Sequence, residues 1–220
     1  EILTTCQQVL RLSPPEANEG HEVKLKGVIT CYVPESQLCF MQDQSAGIYV
    51  YPAPWPKELS PGDVVEVTGV TGSGLFSPIV QIATIKVIGK GELPSPKKIS
   101  IEQLNSGAFD SQYVEITGTV QAQENRRDHT YLELWTGGSS GQILFFTTTE
   151  LPDYIGRTLT LSGVGGTFYY QQKLTGFGLF AQLDSQMTAL TPVKNPFAAP
   201  VHEISKLLWY SASGPIDHRI

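Results

Sequence analysis

Apolar and polar side chains alternate along much of this chain, and the period is two. Val23, Leu25, Gly27 and Ile29 interleave with Lys24 and Lys26, which predicts a strand with one face on a core and the other in water. Leu38 to Gln42 predicts a second strand after a turn at Pro34-Glu35-Ser36, and Ile48 to Tyr51 a third after Asp43-Gln44-Ser45-Ala46-Gly47. Asp supplies acceptors for turn amides and Gly tolerates positive φ, so that loop is explained by its turn alone. Leu59-Ser60-Pro61-Gly62-Asp63 punctuates the chain before Val64 to Val70, and Ile79 to Ile82 with Ile85 to Ile88 close the unit. Glycines inside two of the five strands suit a small, sharply coiled barrel.

The pattern then repeats. Val23-Lys24-Leu25-Lys26-Gly27-Val28 returns as Val114-Glu115-Ile116-Thr117-Gly118-Thr119-Val120, and Val65 to Gly72 returns as Leu159 to Gly166. Both matches fall at nearly one offset, defining a unit of roughly 95 residues. A short helix is predicted ahead of each unit: Thr4 to Leu12 with Thr5 as N-cap, and Ser100 to Ser106 with Ser100 and Gln103 placed as a capping box. A third helical stretch, His202 to Trp209, is followed by Gly214 to Ile220, which parallels the opening of the first unit's initial strand. The division is therefore 1–95, 96–192, and 193–220 as linker, helix and first strand of a truncated third module. The expected fold is all-β: two tandem five-stranded barrels, each preceded by a short helix, plus the start of another.

This order of strands resembles the oligonucleotide/oligosaccharide-binding (OB) fold. The carrying residues are a first strand with Gly27, the Asp43-x-Ser45-x-Gly47 turn, and Pro61-Gly62-Asp63 before a strand ending in Gly69. More narrowly, the repeat is similar to tandem OB modules in the extracytoplasmic region of bacterial membrane-anchored sensor histidine kinases. That resemblance implies a non-catalytic sensing or spacer array outside the cytoplasmic membrane, touching it only through parts of a parent chain beyond these residues. The second copy departs from the pattern, because Trp135 to Gly141 stands where the Asp43 turn is expected.

Charge bears on partners. The net charge is −6, with six basic against ten acidic side chains in residues 1–95 and six against nine in 96–192. Nucleic-acid affinity rests largely on Lys and Arg displacing phosphate counterions, so nucleic acid is disfavoured as a partner. A small ligand, a carbohydrate or a protein fits an acidic, Tyr-rich surface better. No apolar run approaches the roughly 20 residues that a spanning helix needs. The chain begins at Glu1 with no initiator Met or signal peptide, which reads as a trimmed or mature fragment.

Candidate chemistry is sparse. Three cysteines and four scattered histidines form no metal-ligand spacing, and no motif calls for a cofactor. Cys31 and Cys39 flank the Pro34 turn, open to a cross-strand disulfide or to service as two small apolar side chains, with the second favoured. Gly137-Gly138 and Gly165-Gly166 lack the Lys and following helix of a phosphate loop, and Ser139-Ser140-Gly141 lacks the nucleophile-elbow frame. The chain thus reads as no enzyme. Ligand candidates are exposed aromatics able to stack on bases or sugars: Tyr32, Tyr49, Tyr51, Trp55 and Phe76 in the first unit, and Phe168, Tyr169, Tyr170 and Phe177 in the second. Two alternatives stand beside the sensor array: a nucleic-acid-binding tandem barrel and a structural or adhesive array.

Overall fold

The structure, a computed structural model, describes residues 2–189. The third helix and strand expected over 193–220 lie outside the described residues. Two short helices, α1 (Cys6–Leu10) and α2 (Pro14–Ala17), lead into β1 (Glu22–Val33), β2 (Leu38–Gln42), β3 (Gly47–Pro52), β4 (Asp63–Gly72) and β5 (Ile79–Lys90). These five strands close in the order β1-β2-β3-β5-β4, with β3 and β5 parallel and the other neighbours antiparallel. A closed barrel leaves no free edge, and this five-stranded closure is the OB fold.

The second sheet repeats the scheme. The short strand β6 (Lys97–Lys98) and helix α3 (Ile101–Asn105) precede β7 (Tyr113–Asn125), β8 (Thr130–Trp135), β9 (Ser140–Phe145), β10 (Thr158–Tyr170), β11 (Lys173–Ala181) and β12 (Met187–Ala189). Strand β10 pairs with both β11 and β7, β9 runs parallel to β11, and β6 and β12 sit outside that ring on β7 and β10. The single strand β5 is matched here by two pieces, β11 and β12, which pair with successive halves of β10. In between, the chain turns through Asp184–Gln186.

Period-two alternation places the cores. Val23, Leu25, Ile29, Met41, Ile48, Val50, Val65 and Val67 fill the first barrel; Ile116, Val120, Leu132, Leu134, Ile143, Phe145, Leu159 and Leu161 fill the second. Each such side chain contributes about 1.5–3 kcal/mol by leaving water. Both predicted caps form. Gln8 N donates to Thr5 Oγ1 (3.3 Å) while Thr5 N donates to Gln8 Oε1 (3.0 Å), and Ser100 and Gln103 repeat the exchange.

The Asp43 turn does two jobs. Asp43 Oδ1 accepts from Ser45 N (2.7 Å) and Ala46 N (2.9 Å), and Oδ2 accepts from Cys6 N at the start of α1 (2.8 Å). Burial pushes its carboxyl up, yet the Ser45, Cys6 and Ala46 bonds outweigh burial and hold it below the usual range. One carboxylate therefore ties the leading helix to its barrel.

Cys31 and Cys39 do not face each other. A bulge between Ile29 and Cys31 pairs Cys31 with Phe40 and Tyr32 with Cys39. Cys39 enters the first core, Cys31 enters a cluster between the barrels, and both thiols are free. Burial pushes the Cys31 thiol up to about 12, which suits a small apolar side chain.

Candidate ligand-binding groove

The two barrels meet along a third apolar cluster built from Cys31, Phe40, Tyr113, Val164 and Phe180. Phe180 sits at its centre, within 6.0 Å of the Phe40 ring, 5.5 Å of Phe168 and 6.1 Å of Phe146. Two glutamines of the second barrel then satisfy backbone groups of the first. Gln112 Nε2 donates to Gly47 O (3.1 Å) while its Oε1 accepts from Gly47 N (3.0 Å). Gln182 does the same for Tyr32, accepting from N at 2.7 Å and donating to O at 3.1 Å. Tyr113 N donates to Gln42 Oε1 (2.9 Å), closing the seam from the other direction.

Above this seam lies a groove of about 730 Å³. Its floor is the outer face of β2 and β3, presenting Leu38, Phe40, Tyr49 and Tyr51. One end is the turn through Ser36 and Gln37; the other is the β4–β5 loop, Ser73 to Ser77. The second barrel supplies the far wall with Asp110, Ser111, Thr167, Tyr169 and Phe180. Among the described residues, no Lys or Arg lines it, and its single carboxylate is Asp110.

The aromatic candidates divide on this geometry. Tyr49 stands edge-on to Phe40 (5.2 Å between centroids) and its hydroxyl donates to Gln37 O (2.6 Å), so the ring is held in place. Burial pushes its phenol well up. Tyr51, 39% exposed, is braced edge-on by Trp55 at 5.6 Å. Phe76, 44% exposed on the β4–β5 loop, crosses the seam to meet Phe177 at 5.2 Å. Tyr169 reaches the groove from the second barrel, so an aromatic of the second repeat serves the first repeat's face.

Other candidates lie elsewhere. Tyr32 is no surface platform: it is 6% exposed, its hydroxyl donates to Pro56 O, and its ring lies 6.0 Å from Trp55. Trp55 packs against the first core, Phe168 packs on Phe180 in the seam, and Tyr170 stands 68% exposed at the β10–β11 tip outside the groove. That tip turns through Gln171 and Gln172, both at positive φ.

Asp110 is the residue that sequence reasoning passed over. Its Oδ2 accepts from Ser77 Oγ at 2.7 Å, linking the first barrel's loop to the second barrel, and from Ser111 Oγ at 3.2 Å. Burial raises its pKa, and the two serine bonds offset only part of that rise. A carboxyl raised on folding withholds stability when ionised and returns it as pH falls through the folded value. Asp110→Asn is therefore expected to melt no lower than the wild type at pH 7; a clearly lower melting temperature would show that the ionised carboxylate holds the seam.

No family model matches the chain. Endonuclease YhcR of Bacillus subtilis (strain 168) is 32% identical over 118 residues, covering 49% of this chain and 10% of the relative. The chain thus spans about a tenth of that protein's length. Among solved structures, a murine DNA-binding protein bound to double-stranded DNA matches 82% of this chain and 99% of its own at 10% identity and TM-score 0.39. The p204 HINb domain matches 79% and 100%, at 11% and 0.37, and the Ifi202 HINa domain with a 20-base-pair DNA matches 78% and 96%, at 9% and 0.37. Such distant likenesses carry no argument about function.

Two expectations are corrected here. The reading of the chain as no enzyme is overturned by its alignment, over about half of its length, with an endonuclease. Setting nucleic acid aside is corrected as well, because a protein 32% identical over 118 residues of this chain is an endonuclease. The physical reason is that net charge speaks for phosphate contacts alone, whereas stacking on aromatic faces needs no cation. None of these proteins is a sensor kinase, and that context has no support.

Proposed function

We propose that the paired barrels belong to a nuclease and hold single-stranded nucleic acid in the groove between them. The observation that carries this reading is the groove itself: aromatic rings at Tyr49, Tyr51, Phe76 and Tyr169 converge on the outer face of β2 and β3 with no cation among them. Braced rings of this kind are platforms for unpaired bases, each stack contributing about 1–3 kcal/mol. Double-stranded DNA hides its base faces, so the groove suits single strands. The alignment with an endonuclease supports nucleic acid over a neutral sugar of similar shape.

Charge then shapes how the strand binds. Among the described residues the groove offers phosphates no Lys or Arg, so the phosphates point outward to solvent. Binding is expected in the micromolar range, with log K falling against log salt at a slope shallower than about −1, since the groove neutralises few or no phosphates. Fluorescence anisotropy with a labelled 12-nucleotide single strand, titrated across salt, measures both. Tyr51→Ala should weaken binding by about tenfold, one lost stack. Absence of binding at the lowest salt, or a slope of −5 or steeper, would sink the stacking mode.

A further inference from the structure

Among the described residues that line the groove, one side chain can discriminate between ligands by charge and hydrogen bonding, and it comes from the second barrel. We propose that Asp110 reads the base in the groove, favouring nucleobases with an exocyclic amine. The inference rests on the single-strand reading above and adds a selectivity to it.

Geometry fixes what Asp110 has to offer. Oδ2 is taken by Ser77 Oγ at 2.7 Å and Ser111 Oγ at 3.2 Å, whereas Oδ1 makes no hydrogen bond to the described residues. Both serines donate, so the carboxylate has one oxygen left and it can only accept. The remaining polar lining is neutral: Asn18, Ser36, Gln37, Ser73, Gln81, Thr167 and the hydroxyls of Tyr49, Tyr51 and Tyr169, with Asn18 held by Ser73 N and Gln81 by Thr71 O. Among the described residues, Asp110 is thus the one carboxylate in the lining. It also repels phosphate, turning the backbone outward and the base edge inward.

An acceptor on the groove wall selects donors on the base edge. Cytosine offers its N4 amine and adenine its N6 amine to a carboxylate; thymine presents two carbonyl oxygens about a lone ring N–H. Placement on the second barrel means that the reading requires both modules: Ser77, on the first barrel's loop, orients the carboxylate that the second barrel carries. A single barrel would keep the stacking floor and lose the discrimination.

The test uses the intact chain, labelled 12-mers of cytidine and of thymidine at pH 7.5, and anisotropy titration. The cytidine strand is expected to bind about tenfold more tightly, the lower part of the range for one specific base contact. Asp110→Asn should bring that ratio close to one, since the amide can donate to thymine carbonyls. Tyr51→Ala should weaken both strands alike and leave the ratio unchanged. Thermal melts run alongside establish that each variant is folded. Should neither strand bind, the single-strand reading itself fails. Binding of both strands with a ratio near one in the wild type, or a ratio that survives Asp110→Asn, overturns the role of Asp110 and leaves the stacking mode standing.

Discussion

Gly47→Ala is expected to part the two barrels while leaving each of them folded. A Cβ at that position would overlap the Ser111 carbonyl oxygen, and it would sit 3.2 Å from Gln112 Cα. Backbone cannot yield as a flexible side chain does, so the second barrel must move away. That movement breaks the paired Gln112 bonds to Gly47 and strains the neighbouring Gln182 and Gln42 contacts, each hydrogen bond contributing about 0.5–1.5 kcal/mol. It also exposes Phe40 and Phe180 to water. Only Gly91 to Pro96 separate β5 from β6, and once undocked that connector should become cleavable. Limited proteolysis with mass spectrometry would show cleavage there in the variant and resistance in the wild type. Small-angle scattering would show a larger radius of gyration. A Gly47→Ala protein as compact and protease-resistant as the wild type would mean that the seam tolerates the methyl and is far looser than its contacts indicate.

Gly27→Val should act inside one barrel. A Cβ there would lie 2.5 Å from Gln42 O and 2.7 Å from Met41 Cε, where β1 crosses β2. Valine adds two further methyls to that overlap. The expected cost is about 3 kcal/mol, at the upper end for an overpacked core, or roughly 6–12 °C in melting temperature for a chain of this size. Its repeat equivalent differs. At Gly118 a Cβ would meet Leu134 Cβ and Trp135 O at 3.1 Å, tight but within reach of a small shift. Gly118→Ala should therefore cost clearly less than Gly27→Ala, and differential scanning calorimetry on both compares them directly. Equal losses would show that the two glycines have the same role, contrary to the packing around them.

The barrels were legible because their signal is local. Alternation at Val23, Leu25 and Ile29, turn residues at Pro61-Gly62-Asp63, and caps at Thr5 and Ser100 each act within a few positions of themselves. Repetition then doubled the evidence from one chain. Cys31 and Cys39 serve as the favoured small apolar side chains, and what the residues did not announce is the bulge that shifts their register by one. The groove was only half legible. Tyr49, Tyr51 and Phe76 stand out as aromatics on a predicted outer face and loop, but Asp110 and Tyr169 join them only because the barrels dock. Docking depends on partners such as Tyr32 and Gln182, 150 positions apart, and on backbone atoms that every residue shares. Overall charge misdirected the choice of partner for a related reason: it sums the whole surface, whereas the described lining of the groove holds one carboxyl group and a wall of rings.

That choice of backbone atoms has a consequence for how the protein tolerates mutation. Gln112 and Gln182 grip the amide and carbonyl of Gly47 and Tyr32 as a neighbouring strand would, so the grip is blind to which side chain the first barrel carries there. At residue 32 the side chain points away into its own core and can drift with that core's packing. At residue 47 there is room for none. The first barrel's contribution to this joint thus narrows to Gly47 and the Gln42 side chain that takes the Tyr113 amide, while the second must keep two glutamines. Substitutions should accumulate unevenly across the seam, with most of its surface free to change and these four positions holding the barrels in register.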